Sequence, residues 1–129
     1  MHIFVFGNPD LQEDSLPLRI IPALQKEFSQ MHFITVDPNE EWDIPPASQE
    51  HLLIIDTAIG IADVTVFADL SKFVPAPRVS MHDFDALANL RLLMKLGKIN
   101  KVTVIAIPMG MQENEATQKT IPIINHLRS

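Results

Sequence analysis

Unbroken apolar runs recur along this chain at Ile3–Phe6, Leu52–Ile55 and Val102–Ile107. Strands with one wet face alternate apolar and polar residues, whereas strands covered on both faces do not. These three runs therefore predict buried parallel strands. Phe33–Val36 is a fourth candidate. Val64–Phe67 is a fifth, read as an edge strand because its alternation is unclear.

Between the runs the period changes. Leu18, Ile21, Leu24 and Phe28 fall on one helical face. Pro17 suits the first turn of that helix, and Pro22 has to sit near its start or kink it. Phe84, Leu87, Leu90 and Met94 mark a second helix, ending near Gly97. Ile121, Ile124 and Leu127 mark a third, with Thr120 as its cap and Pro122 in its first turn. Strands alternating with helices predict an α/β fold of three layers, an open and mostly parallel sheet with helices on both faces. The segments Trp42–Ala47 and Pro75–Arg78 read as loops inside it, so residues 1–129 form a single domain.

Composition narrows the chemistry. At 129 residues and 47% hydrophobic, the chain can bury a core without staples. It has no cysteine, which excludes disulfides, thiolate metal sites, iron–sulfur clusters and a cysteine nucleophile. The net charge is −6, and the 10 Lys and Arg residues form no dense cluster. Arg91, Lys95, Lys98 and Lys101 read as a solvated surface, which speaks against a nucleic-acid partner. The opening MHIFVFGNPD lacks the basic start, long apolar stretch and cleavage site of a signal peptide. No apolar run reaches the roughly 20 residues that span a bilayer. The expectation is a cytoplasmic protein without a membrane partner.

Ligands of open parallel sheets bind beyond the carboxyl ends of the strands. The polar residues expected there are the segment from Asn8 to Ser15, then Asp56-Thr57, Ser80 to Asp83, and Met109-Gly110. Asp56 follows an aliphatic run, and a carboxylate at that edge needs a partner, a metal or water. Its alternative role is a turn residue. Asp14 reads equally as part of a helix cap, and Glu13 is a rival carboxylate. His82 precedes a helix that Asp83 could cap. Two carboxylates and an imidazole would suit a borderline divalent cation with open positions for water or substrate. No phosphate-binding glycine loop and no Gly-x-Ser-x-Gly elbow is present.

The segment Ile3–Asp14, IFVFGNPDLQED, resembles the first strand and Gly-Asn loop of the nickel–iron hydrogenase maturation proteases. His51–Gly60, HLLIIDTAIG, is similar to that family's third strand. Val79–Leu93, VSMHDFDALANLRLL, resembles its histidine-bearing stretch ahead of a Leu-rich helix. The likeness runs through nearly the whole chain in the same order. It implies a phosphorylase/hydrolase-like fold and a metal-reading set of Asp14, Asp56 and His82. It further implies an endopeptidase that removes the C-terminal extension of a hydrogenase large-subunit precursor after nickel insertion. The nickel would arrive with the substrate, with zinc or cadmium able to substitute, and Asp37 would orient substrate or water.

Two departures stand out. Ser15, Leu16 and Pro17 replace glycines after the first acidic ligand, and Pro38 and Asn39 replace glycines after Asp37. Glycine lets a substrate chain approach closely, while proline fixes the backbone and removes a donor. These changes bear on the peptide cleft more than on the ligand set, so a non-proteolytic metal- or partner-binding relative is the alternative. A metal-free α/β module for a small ligand is the third reading.

Overall fold

The computed structural model describes residues 2–7, 10, 15–36, 49–68, 80–81 and 92–128. Among them six strands form one sheet. The predicted runs become β1 (His2–Phe6), β2 (His32–Val36), β3 (His51–Ile59) and β6 (Lys101–Pro108). The predicted edge strand is β4 (Thr65–Phe67), and a two-residue β5 (Ser80–Met81) was not foreseen. The strand order is β2-β1-β3-β6-β4, with β5 pairing β3 off this path. β1, β2, β3 and β6 are mutually parallel where they pair, while β4 and β5 run antiparallel to their partners. The fold is thus α/β with a mixed, mostly parallel sheet.

Side chains alternate between the two faces of a strand, and both faces of β1, β3 and β6 are apolar. Ile3, Val5, Leu53, Ile55, Ile105 and Ile107 point to one face. Phe4, Phe6, Leu52, Ile54, Val104 and Ala106 point to the other. This two-sided burial is why the runs lack alternation. At about 1.5–3 kcal/mol for each large aliphatic side chain, it is the main source of stability.

The first face is covered by α1 (Leu16–Glu27) and α2 (Glu113–Arg128). Leu16, Ile20 and Leu24 of α1 are buried there, with Leu18 and Ile21 at the margin. Pro17 occupies the first turn as expected, and Pro22 lies inside the helix on its exposed side. The two helices meet through Arg19, whose Nη1 is 3.4 Å from Glu113 Oε2, and through Arg128, which lies 5.3 Å from the Phe28 ring centre.

The closing helix corrects the sequence reading. It begins at Glu113, so Pro122 lies in its interior and Thr120 is a buried face residue, not a cap. The apolar signal starts late because the first turns touch the sheet through small residues, Ala116 and Thr120. Pro122 is tolerated on the exposed side, where water can reach the unpaired carbonyl one turn earlier.

On the other face, Leu93, Ile61 and Phe67 pack against the cluster of Phe4, Phe6 and Ile54. Leu93 belongs to a helical stretch at 92–95. It faces the core where Met94 was expected to, and Met94 is largely exposed. The predicted stop at Gly97 holds. Lys98 N–H donates to Leu93 O at 2.9 Å and Gly97 N–H to Met94 O at 3.1 Å. Gly97 takes φ +74°, the left-handed conformation this end motif requires. Phe84, Leu87 and Leu90 lie outside the described residues. No helix among the described residues is long and apolar enough to cross a membrane.

Candidate functional site

The chain leaves β1, passes through α1 to β2 on one side, and returns to β3 on the other. The neighbours of β1 therefore diverge at its carboxyl end, which is where open α/β sheets place a ligand crevice. Val5 pairs with Ile55, so Phe6, the last residue of β1, stands level with Asp56 on β3. Asp56 was expected just after the strand. The structure instead places it inside β3, which runs three residues further, because β6 continues to pair as far as Ala58↔Pro108.

Asp56 shares its face with Ile54 and Ala58, the face turned away from α1 and α2, and pairs with Ala106 of β6. Its residue exposure is 1%. A carboxylate so buried among apolar neighbours is costly unless it is well partnered. Its Oδ1 accepts the Thr57 N–H at 2.8 Å, and it takes part in at least one further polar or electrostatic interaction.

β5 adds to this edge. Ala58 pairs with Pro108 on one side and with Met81 on the other. β5 therefore occupies the lane beyond the end of β1, above Phe6. Asp14, Asp37 and His82 lie outside the described residues. Each is the covalent neighbour of a described residue at the carboxyl edge: Ser15 ahead of α1, Val36 at the end of β2, and Met81 of β5. Among the described residues no three His, Asp or Glu side chains come together to hold a metal ion.

The chain matches no known protein-family model, no curated protein and no solved structure. Its chemistry therefore has to be read from its own residues.

Ser15 occupies the cap position of α1 but makes no capping hydrogen bond with its side chain. Its Oγ accepts from Arg19 Nε at 3.1 Å. The first turn of α1 holds no acidic residue. Thr57, expected beyond the strand at the ligand edge, lies inside β3. It is fully buried on the α1–α2 face, directly after Asp56, and its partner on β6 is Ile107. An aspartate followed by a β-branched residue that extends an aliphatic strand was the available signal.

The loop after β3 is fastened to α2. Asp63 Oδ1 accepts from Lys119 Nζ and from Val64 N–H, both at 2.8 Å. The Lys119 hydrogen bond, then that from Val64, holds the Asp63 carboxyl below its ordinary value. This pair is exposed, so it positions the loop more than it stabilises the fold.

Histidines gather at the opposite edge. His51 opens β3, and its Nε2 is 2.7 Å from Thr103 Oγ1. Burial, then the Lys101 charge, lowers the His51 pKa. His2 and His32 stack on β1 and β2 with ring centroids 5.1 Å apart. None of these three rings lies at the carboxyl edge with Asp56.

Proposed function

We propose that the protein is an endopeptidase of the nickel–iron hydrogenase maturation type, acting on a hydrogenase large-subunit precursor in the cytoplasm. The observation that carries this reading is Asp56, a nearly inaccessible carboxylate inside the central strand at the point where the neighbours of β1 diverge. A fold needing only stability gains little from an acid there, since an apolar residue of similar size is often as stable or more so. The architecture in this reading is three-layered and phosphorylase/hydrolase-like, with α1 and α2 on one face and the helix ending at Gly97 on the other.

Asp14, Asp56 and His82 complete the coordination of a nickel ion that belongs to the substrate, so they report that the precursor has been loaded. A metal so held supplies Lewis acidity towards a carbonyl or a water. Asp56 contributes a fixed negative charge in a low-dielectric wall, and Asp37, just past β2, orients the substrate chain or water. Leu16 and Pro17, buried at the start of α1 where the family has glycines, favour a second reading. In it the domain binds the loaded precursor without cutting it.

The test is mass spectrometry of a nickel-loaded large-subunit precursor incubated with wild-type protein, Asp56→Ala or His82→Ala. Loss of a C-terminal peptide with wild type alone is the expected result. Binding without cleavage selects the second reading, and neither binding nor cleavage overturns both.

A further inference from the structure

Two histidine side chains meet at the edge of the sheet opposite Asp56. β1 and β2 pair in parallel register with His2 directly opposite His32. Paired strands lie about 4.8 Å apart, so the two side chains leave the same face at the same level. Their rings are stacked, with centroids 5.1 Å apart and planes inclined by 22°. His2 is half-buried and His32 is exposed.

Among the described residues neither ring makes a hydrogen bond, in contrast to His51, whose Nε2 is held by Thr103. A neutral imidazole carries one nitrogen lone pair. Two such lone pairs, on rings held side by side and not engaged by protein donors, are the elementary unit of a site for zinc, nickel or copper. Two nitrogens bound to one tetrahedral zinc stand about 3.3 Å apart, given Zn–N bonds of about 2.0–2.1 Å. The broad rotation of a histidine ring about its outer torsion brings one nitrogen of each into that span.

We infer that His2 and His32 form a two-imidazole site for a borderline divalent cation, at the opposite edge of the sheet from Asp56. With no third His, Asp or Glu converging among the described residues, water fills the remaining positions and the ion exchanges readily. Among the described residues β2 is an edge strand paired with β1 alone. An ion bridging the two rings staples that edge strand to its one neighbour and stabilises the folded state by mass action. The inference does not depend on the proposed peptidase function.

The test uses the full chain without a histidine tag and carrying Asp56→Asn, so that metal taken up at the carboxyl edge is not mistaken for this site. Zinc is titrated calorimetrically, and thermal unfolding is followed with and without zinc. The expected result is one zinc per chain, with affinity weakened at least about tenfold by His2→Gln or by His32→Gln. The double variant His2→Phe/His32→Phe keeps a stacked ring pair without ligand nitrogens. It is expected to stay folded and to lose the zinc-dependent rise in Tm that the parent shows. Zinc affinity unchanged in both Gln variants, an equal rise in Tm in the Phe pair, or no binding at about 1 mM zinc would each overturn the site.

Discussion

The two ends of β3 deal with polar groups in different ways. At its start, His51 is open to solvent and bonded to Thr103 on the adjoining strand. That pair joins two neighbouring strands, and the ring stays exposed. Five residues on, Asp56 is almost wholly enclosed, facing Phe6 and Ala106 across its two neighbours. It is flanked on one side by β1 and on the other by β6, with β5 pairing two residues further along β3. An edge that satisfies its polar groups with water and one neighbour is part of the scaffold. An edge that keeps an acid in an apolar wall has an energetic cost that a function has to justify.

The sharpest way to test this contrast is Asp56→Asn. The amide keeps the shape and removes the charge, so the chain is expected to stay folded while precursor processing falls below detection. A variant that still trims the precursor would place Asp56 with the scaffold. Ile55→Ala, midway between the two ends and fully buried, is expected to cost about 2–5 kcal/mol in urea unfolding. Thr103→Val removes the hydroxyl that meets His51 and is expected to cost about 0.5–1.5 kcal/mol while leaving processing unchanged. If it impaired processing at constant stability, the two ends would be coupled.

Thr120→Val should have a smaller effect of opposite sign. The Thr120 hydroxyl is fully buried without a hydrogen-bond partner, so replacing it with a methyl group is expected to stabilise the fold, by up to about 1 kcal/mol. The least effect comes from acid. The His51 pKa lies below its unfolded value, so the unfolded chain binds the proton more readily. The neutral ring's contribution is complete above about pH 6.5 and is lost as pH falls through the lower folded value. His51→Gln should flatten that small slope in unfolding curves measured from pH 7 to 5.

Much of the scaffold was legible in the sequence, because two-sided burial writes itself as unbroken aliphatic runs. The central strands follow from that pattern, and the helix stop at Gly97 follows from the end of a helical period at a glycine. What was missed had a common cause. β3 was ended at Ile55 because Asp56 and Thr57 look like the start of a loop, yet a partner strand continues beside them. The closing helix begins eight residues before the expected start because its early contacts use Ala116 and Thr120, which carry little hydrophobic signal. The spacing puts Met94 on the core face, whereas Leu93 packs there, a one-residue shift within the latitude of a short apolar pattern. Of the proposed ligand set only Asp56 falls among the described residues. The sequence puts its carboxylate just past the strand, whereas it lies inside β3 and is buried.

The register of the central strands has a kinetic consequence. His51 pairs with Lys101, and Ile3 pairs with Leu53, so each central partner is 50 positions away along the chain. Such distant pairings close late and slow folding, because the entropy of the intervening loop is lost before contacts repay it. Synthesis proceeds from the N-terminus. Until the stretch ending at Pro108 has left the ribosome, β3 lacks one of its two neighbours and Asp56 lies beside an open edge. A nascent chain halted before that point would carry its most apolar strand unpaired on one side, exposed to aggregation and in need of a chaperone.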